Sequence, residues 1–325
     1  MGGPVVTPVG LVVMDYGTPA SPGDVEAYYT HIRRGRPPSA EQLADLVGRY
    51  RAIGGVSPLA ARTREQVAAI RAALEAAEPD RWRVALGHKH APPFIEEAVA
   101  RVATDVADPI VGLALAPHYS RASVGEYHKR AATAAAEAGV AYQGIDAWHD
   151  DPAWLDAQAQ RVRAALAALP APSKVLFTAH SLPERALVDD PYPDQLRASA
   201  TAIAARAALD PWSGWTLAWQ SAPSTPEVWR GPDVADVIRD LGATGRAAGV
   251  LVCPQGFVSD HLEVLYDLDV VARGVADEAG LAFARTASIN DEPAVMAALA
   301  AHVQRAASAE HQPEAMAHVL GNSRQ

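Results

Sequence analysis

The sequence predicts an α/β protein in which two similar halves each carry a four-stranded parallel sheet covered by helices. Three observations carry this expectation. Eight short apolar runs alternate with amphipathic segments, the pattern of strands buried on both faces and joined by helical crossovers. The chain has 325 residues, enough for two domains of roughly 150 residues each. The order of elements, with a few landmark residues, repeats from the first half to the second.

The strands of the first half are predicted at Val9–Met14, Arg83–Gly87, Ile110–Ala116 and Ala141–Ile145. Those of the second are predicted at Lys174–Ala179, Thr216–Gln220, Gly249–Pro254 and Leu281–Thr286. After the fourth strand Asp150-Asp151-Pro152-Ala153 opens a helix, and after the eighth Asp291-Glu292-Pro293-Ala294 does the same. Proline at an early helical position with acids beside it is a sound helix start. The third strand leads into Pro117-His118-Tyr119 and the seventh into Pro254-Gln255-Gly256-Phe257. Two such halves facing each other leave one cleft lined by strand ends; one eight-stranded sheet is the alternative. The expected division is residues 1–150, residues 151–310 and a polar tail over 311–325. Residues 21–64 are too long for a simple crossover between strands one and two. They are read as a functional insertion.

Composition narrows the function. Hydrophobic residues make up 49% of the chain, which suits ordinary cores, and the net charge of −10 argues against general nucleic-acid binding. A lone cysteine, Cys253, excludes an intrachain disulfide and a thiolate metal cage and reads as a buried strand residue. Glycine-rich phosphate loops and a G-x-S-x-G elbow are absent, which disfavours nucleotide cofactors and serine hydrolysis. No leader or spanning segment is visible, so a cytoplasmic protein without membrane insertion is expected.

His180 and Glu263 are the leading chemical pair. Each follows an apolar run that reads as a buried strand, at the rim where open α/β sheets bind ligands. An imidazole and a carboxylate facing one cleft can move protons and hold a divalent metal. His180, with an ordinary pKa near 6.5, is expected to accept a proton at neutral pH. His261–Asp267 reads as an α-helix, which places Asp267 one turn beyond Glu263 on the same face as a possible further metal ligand. Tyr16, in Tyr16-Gly17-Thr18-Pro19, ends the first strand with a phenol that could ligate iron. Arg33, Arg34, Arg36, Arg49 and Lys89 are cations suited to a substrate with several carboxylates. In His88-Lys89-His90 the two imidazoles would share a strand face, although a chelate there is disfavoured. Trp229 could wall a flat ligand.

Together these residues resemble the ferrochelatases, specifically the coproporphyrin ferrochelatases of monoderm bacteria. The similarity spans roughly residues 9–305. It rests on Tyr16-Gly17-Thr18-Pro19, Ile32-Arg33-Arg34-Gly35-Arg36, Arg49-Tyr50 with Ile53-Gly54-Gly55-Val56-Ser57-Pro58, Thr178-Ala179-His180-Ser181-Leu182-Pro183, Asp190-Pro191-Tyr192-Pro193, and Gly256-Phe257 through Asp260-His261-Leu262-Glu263. The resemblance implies two Rossmann-like domains of the chelatase fold with a porphyrin between them. It implies ferrous iron as a substrate, with no nucleotide or redox cofactor. By position, His180 and Glu263 match the family's metal-handling residues and Tyr16 the tyrosine axial to the product iron. Arg33, Arg49, Tyr50, Ser57 and Tyr127 match porphyrin-contacting positions. Coproporphyrin III is the implied substrate, a coproheme-processing enzyme the implied receiver, and a monomer the expected state. Two departures stand out. Similar proteins often hold an iron–sulfur cluster on four cysteines, and one cysteine cannot. A third carboxylate often follows two turns after Glu263, where this chain has Val271.

Overall fold

The computed structural model describes residues 8–106, 109–223 and 225–308; the expected polar tail lies outside them. Its centre is two parallel sheets of the same strand order. In the first, β1 (Val9–Asp15) lies between β2 (Trp82–His88) and β3 (Ile110–Ala114), and β4 (Tyr142–Ile145) closes the edge beside β3. In the second, β5 (Ser173–His180) lies between β6 (Trp215–Gln220) and β7 (Gly249–Cys253), with β8 (Ala282–Arg285) outside β7. A single eight-stranded sheet is therefore excluded. All eight predicted strands form. β1 and β7 are buried at every residue, as continuous apolar runs covered on both faces must be.

The insertion between β1 and β2 is helical. It holds α1 (Val25–Ile32), α2 (Ala40–Ala52) and the start of α3 (Leu59–Ala77). Ser39 and Gln42 form a reciprocal capping box at α2, which satisfies two backbone donors at its start. The remaining helices of the first half are α4 (Ile95–Ala103) and α5 (Val124–Glu137). The second half adds α6 (Pro152–Leu166), α7 (Tyr192–Arg206), α8 (Val234–Thr244), α9 (Arg273–Glu278) and α10 (Pro293–Ser308). Asp151 caps α6 by accepting from the N–H groups of Ala153 and Trp154, so the predicted Asp-Pro start is real.

Helix packing joins the two halves. α6, which follows β4, packs on α7 and on β7 and β8 of the second sheet. α10, which follows β8, packs on α3, β3 and β4 of the first. The second half thus lends α10 to the first. The result is one continuous core running through Leu11, Val13, Trp148, Trp154, Phe177, Leu251 and Leu299. Fully burying a side chain such as Phe177 or Leu299 contributes about 1.5–3 kcal/mol. A polar bond also joins the halves: Gln66 donates to the Asn290 carbonyl at 2.9 Å. Within the second half, Arg161 pairs with Glu292 at 2.8 Å. These contacts hold the strand ends of both sheets in fixed register around the cleft.

Candidate active site

His180 is the last residue of β5. The strand delivers it to the rim, and Gly256 lets the neighbouring chain close behind it. A side chain at Gly256 would lie 2.5 Å from the Ala179 Cβ, so only glycine fits. The His180 Nδ1–H donates to the Ser181 carbonyl. That leaves Nε2 facing the Glu263 carboxylate, 3.6 Å from Oε1. His261 repeats the arrangement from the other side. Its Nδ1–H donates to the Ser259 carbonyl at 3.0 Å, and its Nε2 lies 3.6 Å from Glu263 Oε2. Glu263 thus sits between two imidazoles, each with its outer nitrogen pinned to a carbonyl. Neutral imidazole in this tautomer offers Nε2 as a metal ligand.

The segment after Glu263 is not the predicted α-helix. Val264–Ala272 is a π-helix that runs on into α9. Its buried residues Val264, Leu268 and Ala272 recur every four positions and form the face packed on the core. A π-turn is an uncommon state that concentrates at functional sites. Asp267 stays near Glu263, and its Oδ2 accepts from the Ser221 hydroxyl. Beyond it, Val270 and Val271 face solvent, and Asp269 is held by both Nε and a terminal nitrogen of Arg285 at 2.8 and 2.9 Å. The missing outer carboxylate is not replaced from elsewhere on this helix.

The expectation of an ordinary His180 pKa is corrected. Burial opposes its charge, but the adjacent Glu263 carboxylate outweighs burial and raises the imidazole to about 9. Glu263 is held well below the carboxylate range: burial would raise it, and His180 with His261 overcomes that. The pair is therefore an imidazolium–carboxylate at neutral pH. Burial first, then the nearby Glu263 charge, lifts Asp267 to about 6 despite its bond to Ser221. A metal that takes His180 Nε2 must displace a proton, so binding strengthens with pH below about 9. With Co²⁺ and no porphyrin, calorimetry is expected to show affinity rising about tenfold per unit from roughly pH 6 to 8. A flat profile would mean that His180 is neutral in the free protein.

Tyr16 follows β1 on the opposite wall. It is 42% exposed; partial enclosure first, and then the Glu263 charge, raises its phenol pKa. Gly17 takes φ +82° to turn the chain, and the Tyr16 ring lies 4.6 Å from the His90 ring. The shared face expected for His88 and His90 is corrected. His88 ends β2, is buried and bonds Asp15, while His90 lies beyond the strand and meets His31 at 3.0 Å.

The cations form two groups. Arg33 and Arg36 each donate Nε–H to the other's carbonyl, at 3.2 and 3.4 Å. This fixes the basic turn with Arg34 at positive φ and leaves the rest of each guanidinium for a ligand. The Lys89 ammonium lies 5.3 Å over the buried Tyr127 ring, and burial lowers its pKa. Arg49 pairs with Asp45 at 3.0 Å and stacks 5.4 Å from the centroid of Tyr266 on the π-helix. Tyr50 and Ser57 are buried; the Tyr50 hydroxyl is 3.5 Å from Thr18, and Ser57 Oγ accepts from the Leu59 N–H that opens α3. Trp229 is tied to Pro183, three residues after His180, and its indole N–H donates to Thr225. His261 and Ser221 escaped the sequence reading. His261 lies two residues before Glu263, and Ser221 follows a predicted strand end, so the same rim rule reaches both. Among the described residues, no group of three or more His, Cys, Asp or Glu side chains is arranged to hold a metal ion.

Comparison with known proteins agrees with this geometry. The ferrochelatase family model matches residues 8–307. The chain is 44% identical over 301 residues to the coproporphyrin III ferrochelatase of Geobacillus kaustophilus, covering 90% of this chain and 94% of that protein. It is 43% identical over 303 residues to the coproporphyrin III ferrochelatase of Halalkalibacterium halodurans, covering 91% and 96%. Among solved structures, SirB from Bacillus subtilis with Fe³⁺ superposes with a TM-score of 0.57 at 12% identity, covering 93% of this chain and 96% of that one. That likeness establishes the chelatase fold. The family match and the identity to full-length relatives establish more: the chain belongs to the ferrochelatase family.

Proposed function

We infer that the protein inserts ferrous iron into coproporphyrin III to give coproheme in heme biosynthesis. The observation that carries this reading is the His180–Glu263 pair, with His261 on the other side of the carboxylate. The relatives named above supply the substrate: they are coproporphyrin III ferrochelatases over nearly the same length. The reaction replaces two pyrrole N–H protons by Fe²⁺, so two protons must leave. Glu263 is anionic and offsets the charge of the arriving ion, which lowers the cost of taking it from water. Approach of the ion drives the proton from His180 to bulk water; neutral Nε2 then accepts one pyrrole proton, and the second pyrrole proton leaves to water. Iron stays ferrous, so no redox partner, nucleotide or iron–sulfur cluster enters the scheme. Cys253 is fully buried with its thiol pushed up to about 12, chiefly by burial.

On this reading Arg33, Arg34, Arg49, Lys89, Tyr50, Ser57, Tyr127 and Trp229 hold the macrocycle and its propionates. Arg33→Ala and Arg49→Ala are each expected to weaken coproporphyrin binding by about 1.5–3 kcal/mol, read by fluorescence titration. The tetramethyl ester should bind poorly to the wild type. Equal binding of ester and free acid would make these arginines surface groups.

Tyr16 supplies the axial oxygen to product iron. Tyr16→Phe keeps the ring and removes the oxygen, so the spectrum of bound ferric coproheme and its release rate should both change. Identical spectra and release rates would leave Tyr16 a packing residue. The substrate assignment is tested by kcat/KM for coproporphyrin III against protoporphyrin IX; a preference for protoporphyrin IX would overturn it. Among the described residues no helix is long and apolar enough to cross a membrane. The working form proposed is a cytoplasmic monomer that passes coproheme to a processing enzyme.

A further inference from the structure

We propose that Asp15, His88 and Thr63 form a positioning device that aims Tyr16 into the cleft; this rests on the reading of Tyr16 as the axial oxygen. Asp15 and His88 are partners at the last rung of the β1–β2 ladder. His88 Nδ1 bonds Asp15 Oδ1, and the Thr63 hydroxyl donates to Asp15 Oδ2 at 2.6 Å. A carboxylate only accepts, so His88 carries the proton on Nδ1 and both Asp15 oxygens are occupied. Exposure is 7% for Asp15, 7% for His88 and 0% for Thr63.

The surrounding pattern gives no packing reason for this polarity. Leu11 and Val13 precede Asp15 on the same face of β1, and α3 covers that face with Val67, Ile70 and Leu74. Alternation along the strand and i, i+4 spacing along the helix would extend an apolar stripe to positions 15 and 63. A buried acid–base pair is weak support for stability, because apolar replacements of similar volume are often neutral or stabilising. The switch from apolar to polar falls one residue before Tyr16.

The bonds run from the cluster to Tyr16. The Asp15 carbonyl accepts from Lys89 N–H at 2.9 Å, and the Tyr16 carbonyl accepts from His90 N–H at 3.0 Å. The Gly17 turn rests on His88: a Cβ at Gly17 would lie 3.0 Å from the His88 Cβ and 3.0 Å from the Ala91 Cβ. The Tyr28 hydroxyl holds the Gly17 carbonyl from α1 at 3.0 Å. The backbone position of His88 therefore sets the seat of the turn that carries Tyr16, and the bonds of Asp15 to His88 and Thr63 tie that seat to β1 and α3.

The test uses the full chain loaded with ferric coproheme. Its readouts are the absorption spectrum, the product release rate and the unfolding midpoint. Asp15→Ala/His88→Leu should fold with a midpoint at or above the wild type. It should lose the Tyr16-dependent part of the spectrum and release product about tenfold faster, the scale typical of outer-shell changes around a metal ligand. In a Tyr16→Phe background the same pair of changes should add nothing. A wild-type spectrum and release rate in Asp15→Ala/His88→Leu would overturn the device, as would full additivity with Tyr16→Phe. If the apolar pair does not fold, Thr63→Val decides: a smaller shift in the same direction supports the device, and no shift overturns it. Iron insertion by the wild type and the effect of Tyr16→Phe alone are measured separately. A failure there removes the premise, while success there with an unmoved cluster variant removes only the positioning role.

Discussion

His180→Ala is expected to reduce iron insertion by about 10²–10⁴-fold, the range for loss of a positioned general acid–base group. Porphyrin binding should change little, because the proposed cationic anchors lie just after α1, on α2 and just after β2 rather than on β5. The variant leaves Glu263 facing His261 alone. It removes both a metal ligand and the proton acceptor, so kcat should fall much more than the affinity for coproporphyrin. Anaerobic turnover with a parallel porphyrin titration separates the two. Near-normal turnover would remove His180 from the chemistry.

Glu263→Gln is expected to cost about 10²-fold or more in turnover, comparable with loss of a metal ligand and its ordering shell. The substitution keeps shape and removes charge. Its second consequence is specific. Burial opposes the His180 charge and the Glu263 carboxylate is what raises it, so without that charge the imidazole pKa must drop well below about 9. The alkaline rise of Co²⁺ binding should therefore move to lower pH in Glu263→Gln while the plateau affinity falls. An unchanged midpoint would mean that Glu263 does not set the His180 proton. The two residues act as one unit, so the double variant should be little worse than the more damaged single variant.

Much of this fold was legible because buried parallel strands leave uninterrupted apolar runs, and all eight were visible. The rim position of His180 and Glu263 followed from those strands. The π-helix was not legible as such, since Val264, Leu268 and Ala272 also fit an amphipathic α-helix over so short a stretch. The packing of α10 on the first sheet was hidden because no local pattern reports which sheet a helix covers. The His180 charge depends on a 3.6 Å approach to a residue 83 positions later, which sequence spacing does not encode. Asp15 and His88 looked unrelated for the same reason: only the β1–β2 register makes them partners.

The central claim is metal insertion at the His180–Glu263 pair, and anaerobic metallation of coproporphyrin III by Fe²⁺ tests it most directly. The purified chain, followed by absorbance beside His180→Ala and a protein-free control, should convert the free porphyrin to coproheme over many turnovers. The variant should stay near the control. Wild-type conversion no faster than the control, or equal conversion by His180→Ala, would contradict it.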